Sequence, residues 1–430
     1  MPDVQYLINV DRSINLRDVK KPDGPLSARE AAAFLGVKLE TLYAYVSRGR
    51  LKSLSGTRGR ARRYARSELE ALRARSAGPA ASALRFGDPV LETRITEMTA
   101  GGPLYRGRAA LELARARVPF ASVAELLWTG ELPARAPVWP AGPSDWPVRE
   151  LAKLVPRGCP PLLAVAIVRP VLAARDAERF DARPEAVLER ARRLIPRLAA
   201  AFAFAHDPRR VGPALATNDP ARALAIALGA PTTKPALELL NLALVLLADH
   251  ELNASTFAAR VAASTGADLY ACLGAALAAL SGPLHGGASE QVEMLAREAG
   301  SAAGAAAAVH DRMRRGERIP GFGHVLYPGG DPRVGPLFEA ARRLAPRAPR
   351  VKTIAAIVDA MAEAGRALPN IDVALACTCA ALDLPPGQGP AIFAIGRAAG
   401  WVAHILEQYD EGYVLRPRAR FVGSERSPAG

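Results

Sequence analysis

Cysteine is scarce. The 430-residue chain has four, Cys159, Cys272, Cys377 and Cys379, each among apolar neighbours. So few exclude a disulfide framework, and Cys377-Thr378-Cys379 lacks the paired spacing of a zinc site. The four read as core residues of a reducing compartment, and no metal centre is expected. Aromatic residues make up only 6% of the chain, although half of it is hydrophobic, chiefly Ala and Leu. That balance excludes an all-β protein and predicts a mainly α fold. Acidic residues are outnumbered, 42 against 56 Lys and Arg, for a formal charge of +14. A basic excess matters for nucleic acid or anionic substrates only where it clusters. The apolar run Leu242–Ala248 is far shorter than the roughly 20 residues of a membrane span. Met1-Pro2-Asp3-Val4-Gln5 has neither the basic nor the apolar region of a secretory signal, so a cytoplasmic protein without a membrane segment is expected. No internal repeat is visible. Gly321-Phe322-Gly323 follows no strand and is not a dinucleotide loop.

What is present begins with a small basic module. Residues 1–25 are polar, with one short strand expected around 6–10. Ser27 and Glu30 form a capping box, Ala31, Ala32, Phe34 and Leu35 give the first helix an apolar face, and Gly36 stops it. A second helix is expected from Leu39 to Ser47. Two short helices across a glycine turn make a helix-turn-helix. Arg48, Arg50, Lys52, Arg58, Arg60, Arg62, Arg63 and Arg66 follow with no acid among them, broken by Gly56 and Gly59 into a wing, before a third helix from Ser67. Residues 26–76 resemble the helix-turn-helix of the MerR and excisionase families, and the basic cluster suits phosphate contact with DNA. The same module could serve as an interaction domain. A small-residue linker is expected at 77–87, followed by a helical body with helices near 161–176, 185–206, 219–228 and 268–280.

Several polar groups of that body sit on Gly- or Pro-shaped turns. Ser281-Gly282-Pro283-Leu284-His285-Gly286-Gly287-Ala288 stops one helix and places His285 near the start of the next, expected from Gln291. A helix N-terminus favours a neutral imidazole that can donate to a carbonyl, although a lone histidine there serves equally as a structural cap. Leu242–Ala248 ends in Asp249-His250-Glu251-Leu252-Asn253-Ala254-Ser255-Thr256, a polar cluster that is costly to bury unless paired. A glycine turn presents His324, with Asp331-Pro332-Arg333 after it. Pro369-Asn370 puts Asp372 directly before an apolar helix expected from Val373 to Leu382. Desolvation there makes a usable general base; taken alone, Asp372 is as readily a helix cap. Arg397 opens a helix with Trp401 and His404, and Arg416-Pro417-Arg418 comes near the end.

In this order the motifs Tyr-Arg-Gly, Glu-Leu-Leu-x-x-Gly-Glu-Leu-Pro, His-Glu-x-Asn-Ala-Ser-Thr, Gly-Pro-Leu-His-Gly-Gly-Ala, Gly-Phe-Gly-His-x-x-Tyr with Asp-Pro-Arg, Pro-Asn-x-Asp and Arg-Pro-Arg resemble the citrate synthase family over residues 88–423. The resemblance implies condensation of acetyl-CoA with oxaloacetate and hydrolysis of the thioester, with the CoA thioester as substrate and no bound cofactor. It implies Asp372 as base, His285 as hydrogen-bond donor to the thioester oxygen, and His324 as the group polarising the ketone. His250, Arg333, Arg397 and Arg418 would hold oxaloacetate. It further implies a homodimer in which Arg418 reaches the partner's site, a large domain of 88–285 and 381–430, and a small domain of 286–380 that closes on the substrates. CoA would lie near 321–327. Val325, where many members have Arg, and Gly365-Arg366-Ala367-Leu368, where many are Lys-rich, leave the choice between acetyl-CoA and propionyl-CoA open. The regulator reading also stands, with a synthase-like body that senses CoA esters or oxaloacetate.

Overall fold

A computed structural model of the protein describes residues 26–35, 39–47, 51, 54, 63–65, 69, 91–141 and 146–418. Two compact units meet in sequence at Glu92 and Thr93.

In the first unit, β1 (Leu26–Ser27) leads into α1 (Ala28–Leu35), then come α2 (Leu39–Ser47) and β2 (Arg63–Tyr64). The capping box forms as the sequence predicts: Glu30 accepts from the Ser27 amide at 2.9 Å, and the Ser27 hydroxyl accepts from the Glu30 amide at 3.4 Å. β1 and β2 pair antiparallel, and a further bridge joins Leu54 to Arg63. Ala31, Leu42, Leu51, Tyr64 and Leu69 form a separate small core. Arg63 is exposed. Arg48, Arg50, Lys52, Arg58, Arg60 and Arg62 lie outside the described residues, as do the strand expected at 6–10, most of the third helix and the linker.

The second unit opens on an antiparallel meander, β3 (Thr96–Thr99), β4 (Gly102–Tyr105) and β5 (Arg108–Ala109), absent from the sequence reading. Positive φ at Gly102, Arg106 and Gly107 makes its two tight turns. The rest is helical: α3 (Ala110–Arg115), α4 (Phe120–Thr129), α5 (Val148–Leu154), α6 (Pro161–Ala174), α7 (Pro184–Ala201), α8 (Val211–Leu215), α9 (Pro220–Leu228), α10 (Lys234–Leu247), α11 (Ala254–Ser264), α12 (Leu269–Leu280), α13 (Ala288–Ala299), α14 (Ala305–Arg314), α15 (Val334–Leu344), α16 (Pro349–Glu363), α17 (Ile371–Ala381) and α18 (Gly389–Glu411). The mainly α expectation holds. Side-chain caps start several of these helices: Asp219 for α9, Asn253 for α11, Asp268 for α12 and Asn370 for α17.

α18 is the axis of the body, packed against α4, α10, α11 and α12. Among the described residues it alone is long and apolar enough to cross a membrane, and it is almost wholly buried by the other helices. Gly400 lets α10 reach it: a Cβ there would stand 2.5 Å from the Ala248 carbonyl oxygen and 2.2 Å from Asp249 Oδ1. The Gly400 amide instead donates to that carbonyl at 2.9 Å. A satellite core of Leu295, Ala305, Val309, Ile357 and Met361 joins α13, α14 and α16. The four cysteines are buried and free.

Candidate active site

The site is built from helix ends. α10 carries its apolar run into the core and stops at Asp249, which is fully buried. Burial opposes ionisation there, but His404, with Nε2 at 3.3 Å, and Arg397 hold the carboxyl below its ordinary value. Next to it His250 is 8% exposed, and its Nε2 has no hydrogen-bond partner among the described residues. Burial, reinforced by Arg333 and Arg397, keeps it neutral. Asn253 then caps α11 by accepting from the Ser255 and Thr256 amides, both at 3.1 Å.

His324 and Asp372 are far apart in sequence, and one residue joins them. The Asn370 amide donates to the Gly321 carbonyl at 2.8 Å, and its side chain donates to the Gly323 carbonyl at 3.0 Å. The Gly323 amide donates to Leu368 at 2.8 Å, and Phe322 bridges Pro369. These bonds require φ of +81° and +83° at Gly321 and Gly323, conformations cheap for glycine. Asn370 Oδ1 meanwhile accepts from the Asp372 amide at 3.0 Å and starts α17. The helix begins at Ile371, two residues earlier than expected, so Asp372 lies within the first turn and Asn370 is the cap.

Burial raises the Asp372 carboxyl to about 7; Arg333 opposes this and Asp331 adds to it. A helix N-terminus favours a partly buried carboxylate by at most about 2 kcal/mol, roughly 1.5 pKa units and short of the rise that burial causes, so desolvation wins. His324 Nδ1 accepts from the Leu326 amide at 3.1 Å, which puts the ring proton on Nε2. Burial and Arg333 lower its pKa, so it is a neutral donor. Its ring lies 5.3 Å from that of His250 and 4.9 Å from that of Tyr327.

His285 precedes α13, which begins at Ala288 rather than near Gln291. Its pKa falls to about 4, caused by burial and then by Arg397. Its Nε2 is 2.8 Å from Ser255 Oγ, which also accepts from Trp401 Nε1 at 3.2 Å. Phe393 meets the His285 ring edge-on and lies 4.9 Å under the Arg397 guanidinium. Arg397, also buried, donates from Nε to the Leu247 carbonyl at 2.8 Å. Burial, and Arg333, lower its pKa to about 10. Arg333 pairs in bidentate fashion with Asp331, at 2.9 and 2.8 Å, and the same carboxylate accepts from the Ile371 amide at 3.1 Å.

His250, His324, Tyr327, Arg333 and Asp331 thus adjoin the base of α17, while His285, Phe393 and Arg397 line the neighbouring wall. Arg418 is not brought in. It is exposed, in the segment 412–418 that follows α18 outside any helix or strand. Tyr327, Asp331, Asn370, Ser255 and Phe393 also belong to the cluster, and the sequence alone gives none of them a role. The two-residue spacing of Asp331 and Arg333 is the one signal that could have marked a local ion pair.

The family model described as "Citrate synthase, C-terminal domain" matches residues 86–418, more than half of the chain. The chain belongs to the citrate synthase family. A helix-turn-helix domain model matches residues 25–77. "Citrate synthase 2" of Bacillus subtilis is 37% identical over 279 residues, covering 62% of this chain and 73% of that protein. The citrate synthase of Haloferax volcanii is 34% identical over 345 residues, 76% of this chain and 91% of that one. A 2-methylcitrate synthase of Mycobacterium tuberculosis is 33% identical over 337 residues, 75% and 85%. Citrate synthase from Thermoplasma acidophilum, solved with carboxymethyl coenzyme A and oxaloacetate, superposes with a TM-score of 0.68 at 26% identity, covering 81% of this chain and 98% of that one. The enzyme is therefore of citrate synthase type, preceded by a helix-turn-helix domain.

Proposed function

We propose that this citrate synthase-type enzyme condenses acetyl-CoA with oxaloacetate, giving citrate and CoA, through Asp372, His285 and His324. The observation that carries the reading is the stitch at Asn370, which holds a carboxyl raised to about 7 beside an imidazole whose proton is on Nε2. Asp372 takes a proton from the acetyl methyl group. The Ser255 hydroxyl has one proton and two acceptors in reach, Asn253 Oδ1 at 2.7 Å and His285 Nε2 at 2.8 Å. When it goes to His285, the Nδ1–H of a neutral ring is left to donate to the thioester oxygen as the enol forms. The enol carbon attacks the ketone carbon of oxaloacetate, and His324 Nε2–H protonates the resulting alkoxide. Water then hydrolyses the citryl thioester, releasing citrate, CoA and a proton. Arg333, Arg397 and His250 hold oxaloacetate, since a guanidinium fork matches a carboxylate.

Arg418 is assigned to the partner's site in a homodimer, a reading supported by its exposure outside its own chain's cluster. Residues 286–380 are read as the closing small domain, supported by the satellite core that α13, α14 and α16 form within it, although Val334, Leu337, Ile354 and the buried face of α17 pack into the main core. CoA is placed near 321–327. Similarity to a 2-methylcitrate synthase supports propionyl-CoA as a second acyl donor, because one methylene is worth only about 1–3 kcal/mol in a pocket. The helix-turn-helix match supports contact with DNA through the basic residues 48–63.

The test is thiol release from acetyl-CoA and from propionyl-CoA, each with oxaloacetate. Turnover by the intact protein that disappears in Asp372→Ala upholds the reading, and the ratio of the two kcat/KM values fixes the acyl donor. No turnover by folded protein with either thioester rejects it. Retardation of duplex DNA that weakens steeply with salt tests the N-terminal domain.

A further inference from the structure

Behind the substrate cluster, α10 and α18 meet at a buried carboxylate. Asp249 and His404 are both fully buried. His404 Nε2 lies 3.3 Å from Asp249 Oδ2. On the other side of the ring, Glu407 Oε2 stands 3.8 Å from Nδ1, within ion-pair range but beyond a hydrogen bond. Glu407 is fixed by Arg260 at 2.9 Å, and Arg260, also fully buried, pairs with Glu411 at 2.8 Å. His404 is thus held between two carboxylates. Replacing such a buried network by apolar side chains of similar volume is often neutral or stabilising, so stability alone is a poor account of it.

The Asp249 carboxylate makes a second contact that bears on the site. Its Oδ2 also accepts from the Glu251 amide at 3.3 Å. Glu251 has φ of +55°, in the left-handed region, where a side chain strains the backbone. The Asn253 amide donates to the Glu251 carbonyl at 3.0 Å and closes the far side of the turn. His250 stands between Asp249 and Glu251, so this turn sets where its ring goes. The ring meets those of His324 and Tyr327 edge-on, at 5.3 and 5.7 Å. Its buried Nε2, without a partner among the described residues, is left for a ligand. If Glu251 relaxed to a negative φ, the chain would change direction directly after His250 and the ring would leave this place.

We infer that Asp249 and His404 are positioning residues for oxaloacetate: their buried contact holds the left-handed turn at Glu251 and so aims His250 Nε2 into the substrate cluster. The inference rests on the proposed role of His250. Neither residue touches substrate. His404, anchored by α18 and Glu407, fixes the carboxylate, and the carboxylate fixes the turn.

The test is calorimetric titration of the full-length protein with oxaloacetate, alongside steady-state kinetics. His404→Leu should weaken oxaloacetate about tenfold, the worth of one buried charged hydrogen bond. At saturating oxaloacetate, kcat and the KM for acetyl-CoA should move by no more than about twofold. His404→Gln, whose amide nitrogen takes the place of Nε2, should bind within about threefold of wild type. Adding Glu251→Gly to His404→Leu should restore about fivefold, because glycine adopts a left-handed φ without strain. Circular dichroism and melting establish folding, and His404→Asn, too short to reach Asp249, stands in if His404→Leu does not fold. Wild-type oxaloacetate affinity in the folded removal variant overturns the inference. So does a loss that His404→Gln shares in full and Glu251→Gly leaves untouched, since damage to core packing alone gives that pattern. Turnover absent in every form, with these differences in binding intact, would count against the proposed condensation and uphold the positioning role.

Discussion

Asp372 is the residue at which environment and chemistry meet. Its pKa is raised from 3.8 to about 7, so the folded state holds a proton that the unfolded chain has lost between those values. Stability from this group is present at low pH and fades as pH rises towards 7. Asp372→Asn is neutral at every pH. Its melting temperature relative to wild type should therefore climb between pH 4 and 7 and level off above, as read by calorimetry in a pH series. The variant should lose about 10²–10⁴ in kcat, while oxaloacetate binding persists. Since the ionised form is the base, kcat/KM of the wild type should fall about tenfold per unit below pH 7. Asp331 sharpens the test. It raises the Asp372 pKa and neutralises Arg333. Asp331→Asn should move the acid limb of the profile to lower pH, and an unmoved limb would disprove this tuning. His285, lowered to about 4 by burial and Arg397, is neutral over the upper part of that range and takes up its proton only near pH 4.

At the scale of elements, the substrate cluster depends on how α17 begins. Asn370 caps it and ties the 321–323 turn to it. Asn370→Ala should cost about 1–2 kcal/mol in denaturant unfolding as a lost cap. It should also lower kcat more than it raises the KM for oxaloacetate, since it loosens His324 against Asp372 and leaves Arg333 in place. Equal stability and unchanged kcat would show that the glycine turn holds itself. Much of this scale was legible beforehand. The capping box at Ser27, the Pro and Gly stops and the helices from 161 to 280 are local signals, and local hydrogen bonding produced them. The 96–109 meander was not legible, because its strands are only 2–4 residues long and too short to show a period of two. α13 and α17 both begin earlier than expected. Their first turns hold Ser289, Glu290 and Asp372, polar residues that break the apolar pattern from which a helix start is read.

At the scale of the molecule, the proposed dimer has a direct test. Arg418→Ala and Asp372→Asn should each be inactive alone. If Arg418 serves the partner's site, random subunit exchange places one intact site in half of the dimers and restores about a quarter of wild-type activity. No recovery after exchange would place Arg418 in its own chain's site. The separate cores of the two units fit a helix-turn-helix module joined to an enzyme body.

The sequence by itself determined the helical class, the position of the basic module, the motif order that marks the family and the identity of its polar residues. Each is a property of composition, local periodicity or spacing along the chain. Only the tertiary structure decided that His324 and Asp372 are stitched through Asn370, that His285 is kept neutral by burial and Arg397, and that Asp331 serves Arg333 and α17 together. It also decided that His404 of α18 stands against Asp249 at the end of α10. Apart from the local Asp331–Arg333 pair, these pairings join residues tens to hundreds of positions apart. Desolvation and charge proximity act through space, and only packing the α10–α18 core sets those distances.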